Sequence, residues 1–455
     1  MAIKKTVKVH SISTIKPAEQ IPHYVQFLSN YDQLFSAIPY YLQGVYYFRS
    51  NFSEPARIAV LIESLKQSLS KTLSVFRVVA GRVMIGKQSR LELDVNGTGI
   101  PFLEATADAR IDDWPDLRDC SIEWELNPKD AMIGDYTTAP LARVQVTVFR
   151  CGGVSIGYSS AHVISDGLGA VDFVKAWGEI HRGLAISNPP IFDRDPLRAR
   201  DPPRITVPVP DHVSSWLVPH AGAHHKADSE SELPSRFQTI VFSFSQAMVD
   251  ECVREVEQGQ YRYGRATSFE ALSALVWASV TRARSLADAA DTNYSMPFSI
   301  RGRWEPSLPR EFFGNAAAVV IATGKAGDIK SYDISYAAKL IHASIKEAKI
   351  EFLKSQVDWM EMVLQQGKAI GYSFDPDTGT DIDNTTFVNF PTYTINFGWG
   401  SPLFFAFSIP PHIGEGAAYI LPSPDGGRSR DIAICLQKEH MKKLIEDKIF
   451  SKFRR

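Results

Sequence analysis

Cysteine is scarce in this 455-residue chain: only Cys120, Cys151, Cys252 and Cys435 occur, and no two are close in sequence. That spacing excludes a CxxC-type metal or redox motif. It fits a reducing compartment in which the thiols stay free and pack as small apolar groups in the core. No run of about 18 apolar residues occurs, so no transmembrane helix is expected. The opening Met-Ala-Ile-Lys-Lys-Thr-Val-Lys-Val-His lacks a signal-peptide-like apolar core and reads as a first β-strand, which makes the cytosol the expected compartment. Charge of either sign is also not in excess: 49 basic against 51 acidic residues leave a formal charge of −2. That balance speaks against nucleic acid or an anionic membrane as partner, while leaving room for a local basic patch. Gly153-Val-Ser155-Ile-Gly157 fits GxSxG by letter, but it falls within a strand-like run rather than on a strand-to-helix turn, so it makes no nucleophile elbow and a Ser-His-Asp hydrolase has no anchor here.

The length predicts two domains rather than one compact core. In residues 54–75, Ile58, Leu61, Ile62, Leu65, Leu69 and Leu73 recur at three- and four-residue steps and predict a helix. Leu141 to Phe149 and Val154 to Ser160 read as strands around a Cys151-Gly152-Gly153 turn, and a helix follows from Gly167 to Arg182. Prolines then crowd the chain from Pro189 to Pro219, and polar residues follow to Ser235; this stretch is unsuited to a long helix or a central strand. The expected organisation is therefore 1–185, a crossover linker at 186–235, and 236–455. His212, His220, His224 and His225 lie in the linker; without a Cys or a ligand pattern they read as exposed linker rather than a metal site. Beyond it come a strand at Phe237–Phe244 and a helix at Ser268–Ala287 capped by Thr267 or Ser268. Strands follow at Leu403–Ile409, Ala417–Leu421 and Asp431–Leu436, and a helix from Gln437 to Phe453 closes the chain.

Two segments carry chemistry. In Ser159-Ser160-Ala161-His162-Val163-Ile164-Ser165-Asp166-Gly167 a strand runs into a turn, with His and Asp four residues apart. A histidine at a strand end can face a cleft, and its ordinary pKa near 6.5 suits a general base at neutral pH. Asp166 would orient the ring or anchor the turn. No third ligand stands nearby for zinc. On spacing alone a structural His-Asp pair is the commoner outcome. The second segment, Tyr393-Thr394-Ile395-Asn396-Phe397-Gly398-Trp399-Gly400, places glycines around a tryptophan, which means tight backbone geometry; alone it would be a bend in a sheet.

Taken together, the segments resemble the plant BAHD acyltransferases over nearly the whole chain. That family writes HxxxDG and DFGWG where this sequence has His162-Val-Ile-Ser-Asp166-Gly167 and Asn396-Phe-Gly-Trp-Gly400. Leu28-Ser-Asn-Tyr-Asp32 resembles its LSNLD signature, Ser268-Phe-Glu-Ala-Leu-Ser-Ala-Leu-Val-Trp277 its EAL helix, and Arg301-Gly-Arg303 and Phe313-Gly-Asn315 its RxR and YFGN elements. The resemblance implies an α/β fold: two similar chloramphenicol-acetyltransferase-like domains joined by a long crossover, with an interdomain channel. It implies acyl-CoA as co-substrate and no resident cofactor or metal. The acceptor would be a small-molecule alcohol or, less readily, an amine, and the protein a cytoplasmic monomer. His162 would be the general base at the centre, and Trp399 a donor of its indole N–H to the oxyanion. Asp166, Gly167, Gly398 and Gly400 would be structural.

Two acids of the family pattern are missing. Asn396 stands where the family has an Asp that pairs with an arginine, matched here by Arg301, and Phe298-Ser-Ile-Arg301 replaces V-D-x-R. An amide hydrogen-bonds a guanidinium without neutralising it. Ala418-Tyr-Ile-Leu-Pro-Ser-Pro424 resembles the hydroxycinnamoyltransferases, and the Ser268 helix resembles enzymes of long-chain or benzylic alcohols. No arginine occurs from Glu311 to Gly427, which argues against an anionic, shikimate-like acceptor. Phe387 and Asn389 are expected in the acceptor pocket; Phe387, Phe390 and Tyr393 suit a neutral acceptor or serve as core. Two other classes stay open at this point: a non-catalytic accessory protein of very-long-chain lipid elongation, which the chain also resembles, and an acyl-CoA hydrolase.

Overall fold

A computed structural model describes residues 7–36, 38, 41–87, 90–113, 123–129, 133, 135–209, 217–218, 236–331, 333–371, 379–408 and 415–453. The first half supplies β1 (Val7–Ile15), β2 (Tyr24–Phe27), α1 (Asn30–Phe35), β3 (Tyr41–Phe48), α2 (Pro55–Val75), β4 (Arg82–Ile85), β5 (Leu91–Val95), β6 (Ile100–Ala107), β7 (Ala142–Phe149), β8 (Val154–Ala161) and α3 (Gly167–His181). The remainder supplies β9 (Leu217–Val218), β10 (Phe237–Phe244), α4 (Gln246–Gln258), α5 (Ser268–Ala283), β11 (Asp291–Ser299), β12 (Ala317–Lys325), α6 (Ala326–Ile329), α7 (Ser335–Glu347), α8 (Ile350–Gln365), β13 (Ala369–Ile370), β14 (Ile382–Thr386), β15 (Phe404–Ser408), β16 (Ala417–Pro422), β17 (Arg430–Gln437), α9 (Lys438–Glu446) and α10 (Lys448–Lys452).

Two six-stranded mixed sheets form the frame, ordered β1-β6-β7-β8-β3-β15 and β10-β17-β16-β14-β11-β12. Strand β15 comes from the second half yet closes the first sheet, pairing antiparallel with β3 so that Phe405 faces Tyr46. Every residue of β8 is buried, because helices cover one face of its sheet and the other half of the molecule covers the other. One apolar cluster accordingly runs through both halves, joining Val144, Ile156 and Trp177 to Tyr419, Ala433 and Cys435. A second lies between the other sheet and α4, α5 and α7. A third ties α1 (Tyr31, Leu34, Phe35) to Ile300, Phe312 and α8.

Local signals explain the helix ends. Pro55 starts α2, where a missing N–H costs nothing. Thr267 and Glu270 make a capping box for α5. That helix stops at Ala283 rather than Ala287, since Arg284 caps it and Ser285 turns to a φ of 55°. The closing helix is broken in two: Asp447 leaves the helical conformation and accepts from Phe450 N to start α10, while also binding Arg282. Cys252 and Cys435 are buried as expected, but Cys151 is half-buried at the β7–β8 turn and accepts from Ile111 N; Cys120 lies outside the described residues. The linker runs without long elements through residue 209, docked by hydrogen bonds of Arg200, Arg204 and Thr206 to α8. The four linker histidines lie outside the described residues.

Candidate active site

A cavity of about 670 Å³ opens between the halves. Phe35, Leu42, His162 and Leu168 reach it from the first half; Ser299, Ala317, Thr385, Phe387 and Tyr419 reach it from the second. His162 follows the last residue of β8, so the strand end aims it there, half-buried. Phe35 stacks on its ring at 4.4 Å and 11°. Nδ1 lies 2.9 Å from Asn315 Oδ1. The Asn315 Nδ2 group donates to Asp32 Oδ1 and to the His162 carbonyl, both at 2.8 Å. Both are acceptors only, so the amide orientation is forced and its oxygen faces the imidazole. Nδ1 is therefore the donor, and Nε2 keeps its lone pair. Burial lowers the pKa of His162 below its ordinary value, with Asp166, Asn315 and Asp32 pushing the other way.

Asp166 points away from the ring. It caps α3 by accepting from Gly169 N, and it binds Arg301 through both oxygens at 2.7 and 3.1 Å. Ala316 N adds a further bond at 3.1 Å. Gly167 is where two rings close on the helix start: a Cβ there would meet Phe390 Cε2 at 2.9 Å and Phe387 Cε1 at 3.1 Å.

Two expectations are corrected. Arg301 does not pair with Asn396; its guanidinium is taken by Asp166 and the Phe312 carbonyl. Asn396 instead accepts from Gly398 N and Gly400 N at 2.6 and 3.2 Å, holding a turn in which both glycines have positive φ. Peptide N–H groups need an oxygen, not a charge, so an amide serves where the family has a carboxylate. Trp399 does not face the cavity. It packs among Phe48, Phe52, Phe397 and His181, 5.5 to 6.2 Å between ring centres. His181 ends α3, whose 15 residues span about 22 Å from the His162 end. The indole thus sits at the far end of the helix, out of reach of any atom reacting at His162.

Phe387 and Asn389 do line the cavity, Phe387 buried against Phe390 and Phe407 and Asn389 exposed. The sequence reading assigned no part to Asn315, Asp32, Arg194 or Phe35. The first two stood inside segments that carried the family resemblance, but nothing local marks them as partners of an imidazole. Among the described residues, no group of three or more His, Cys, Asp or Glu is placed to hold a metal, and no helix is long and apolar enough to cross a membrane.

A strand-end histidine in a cavity lined from both halves, on two mixed sheets flanked by helices, defines the class: a two-domain α/β fold with its cavity between the halves. The family model described as the transferase family matches residues 5–450, and the chain belongs to that family, the BAHD acyltransferases. Shikimate O-hydroxycinnamoyltransferase of Nicotiana tabacum is 31% identical over 98% of this chain and 99% of its own. Vinorine synthase shares the fold with a TM-score of 0.74 at 21% identity, covering 99% of both chains. TRI101 of F. sporotrichioides, solved with coenzyme A and T-2, gives 0.75 at 15% identity over 94% of this chain and 98% of its own.

Proposed function

We propose that this protein moves an acyl group, hydroxycinnamoyl by preference, from acyl-CoA to a hydroxyl acceptor, with an amine as the lesser alternative and His162 as general base. The observation carrying this is that His162 lines the cavity while Asn315 Oδ1 engages Nδ1, which leaves Nε2 as the nitrogen for a substrate. The acceptor O–H sits against Nε2, which takes the proton as oxygen attacks the thioester carbonyl. The C–O bond forms, the tetrahedral intermediate collapses, the C–S bond breaks, and Nε2 returns the proton to the CoA thiolate. Positioned proton transfer of this kind contributes about a hundred- to ten-thousand-fold. Ser299, Thr385 and Thr386 offer hydroxyls on the wall for the oxyanion. The coenzyme A in the TRI101 structure and the donor in the tobacco relative's name support an acyl-CoA co-substrate and a hydroxycinnamoyl donor.

The acceptor is neutral in this reading. Both arginines on the wall are paired, Arg301 with Asp166 and Arg310 with Asp172. Phe387, Phe390, Phe407 and Tyr419 make one wall apolar. The scheme needs no resident cofactor and only one copy of the chain, and its substrates are those of the cytosol. Thiol release from hydroxycinnamoyl-CoA with and without a panel of neutral and anionic alcohols tests it. Release that depends on a neutral acceptor and falls at least about a hundredfold in His162→Ala, with the variant folded, is expected. Near-normal turnover of His162→Ala overturns the base assignment, and release without acceptor overturns transfer.

A further inference from the structure

The carboxylate nearest His162 in sequence, Asp166, is spent on Arg301 and the α3 start. The network behind the ring leads instead to α1. Asp32 is wholly buried at the third position of that helix. Its Oδ2 accepts from Ser29 N, Ser29 Oγ and Arg194 Nε at 2.8 to 2.9 Å. Its Oδ1 accepts from the Asn315 backbone N at 2.9 Å and from Asn315 Nδ2 at 2.8 Å. Arg194 is held in turn by the carbonyls of Phe192 and Ile164, both at 3.1 Å.

We propose that Asp32 is a positioning residue for His162: through Asn315 it selects the imidazole tautomer that leaves Nε2 free. This rests on the reading of His162 as base. An ionised carboxylate only accepts, so it compels Asn315 to present its NH2 group. The second amide proton goes to the His162 carbonyl, and the amide oxygen is left facing Nδ1, which must then carry the proton. The same helix contributes Phe35, whose stacked ring sets the plane of the imidazole. Asp32 thus controls which nitrogen is protonated, and Phe35 controls the tilt. Arg194 neutralises Asp32, so the effect works through orientation more than through net charge. The other charged groups around the ring are the Asp166–Arg301 and Asp172–Arg310 pairs and Asp383 on the far wall. None of them hydrogen-bonds the imidazole.

The test is nitrogen NMR on the free, histidine-labelled protein, with His162 assigned by its loss in His162→Ala. The wild type is expected to show Nδ1 protonated and Nε2 bare. In Asp32→Asn the Asn315 amide loses its acceptor-only partner, and the Nε2–H form is expected to appear. Turnover should fall at least about tenfold with the KM for acyl-CoA unchanged, as losing the right tautomer does in other His-dependent enzymes. Asn315→Ala, which removes the link but leaves the Asp32–Arg194 pair, should show the same tautomer change. A wild-type spectrum with Nε2 protonated overturns the proposal even if Asp32→Asn fails to fold. So does a folded Asp32→Asn that keeps the wild-type tautomer, and so does a tautomer change confined to Asn315→Ala. Full turnover in His162→Ala would instead sink the base assignment and leave the tautomer result standing.

Discussion

Replacing Asp166 by Asn tests what the HxxxDG aspartate is for. All of its acceptor positions are used: one oxygen takes Gly169 N and Arg301 Nη2, the other takes Arg301 Nη1 and Ala316 N. Asn keeps one oxygen and sets an NH2 group against two donors. Arg301 is then left buried, 8% exposed, without a counter-charge. Removing one partner of a buried pair costs about 3–5 kcal/mol. An unfolding entropy of about 2.1 cal/mol/K per residue gives about 1 kcal/mol/K for a chain of this length. The expected drop in Tm is therefore about 3–5 °C, read by differential scanning calorimetry. Adding Arg301→Met should restore part of it, because the uncompensated charge goes too; a coupling of about 0.5–3 kcal/mol is expected from the cycle. The base should survive. Asp166 raises the His162 pKa, so its loss moves that pKa further down, and turnover at pH 8 should stay within a few-fold. A Tm within about one degree of wild type, or an abolished turnover in a folded variant, would refute this division of labour.

Three further outcomes follow from the same geometry. Burial disfavours the imidazolium of His162, and a histidine acting as the proposed base works only when neutral. Activity should therefore rise with pH through a limb below the ordinary value of about 6.5; a kcat/KM limb at or above 7 would contradict it. Trp399→Phe should leave turnover within about threefold and instead lower Tm, since the indole packs on Phe48, Phe52 and His181; a hundredfold loss of kcat would restore the oxyanion role. Asn396→Asp should hold the Gly398 and Gly400 N–H groups and unfold within about 1 °C of wild type, whereas Asn396→Ala should cost about 1–2 kcal/mol in urea unfolding; equal losses in both would mean that charge matters there.

The parts of the site that could be read from the chain are those built by neighbours in sequence. The β7–β8 hairpin, the turn after His162 and the start of α3 depend on alternation, a glycine and an N-cap aspartate within a few residues. Partners across the interface left no such trace. Arg301 meets Asp166 over 135 positions, and Asn315 meets Asp32 over 283. Resemblance alone joined Arg301 to Asn396, and the contact proved to lie elsewhere. The Trp399 segment shows the limit in another way. Its glycines announced tight backbone geometry correctly, with positive φ at Gly398 and Gly400, but where an indole points is decided by packing.

That division has a consequence for how the site comes into being. His162, Asp32 and Phe35 belong to the first half, whereas Asn315 and Arg301 belong to the second. The imidazole follows the end of a fully buried central strand, and the His162 carbonyl accepts from Asn315 of the second half. Its tautomer and the α3 start are completed only by the residues flanking β12 and β11. Docking of the halves buries the apolar face that includes Tyr419 and Cys435, and in the same step delivers Asn315 between Asp32 and the ring. If His162 is the base proposed above, its protonation pattern and the closing of the cavity between the halves are one structural event. A substitution that loosens the interface should lower kcat before it lowers the helical content of either half.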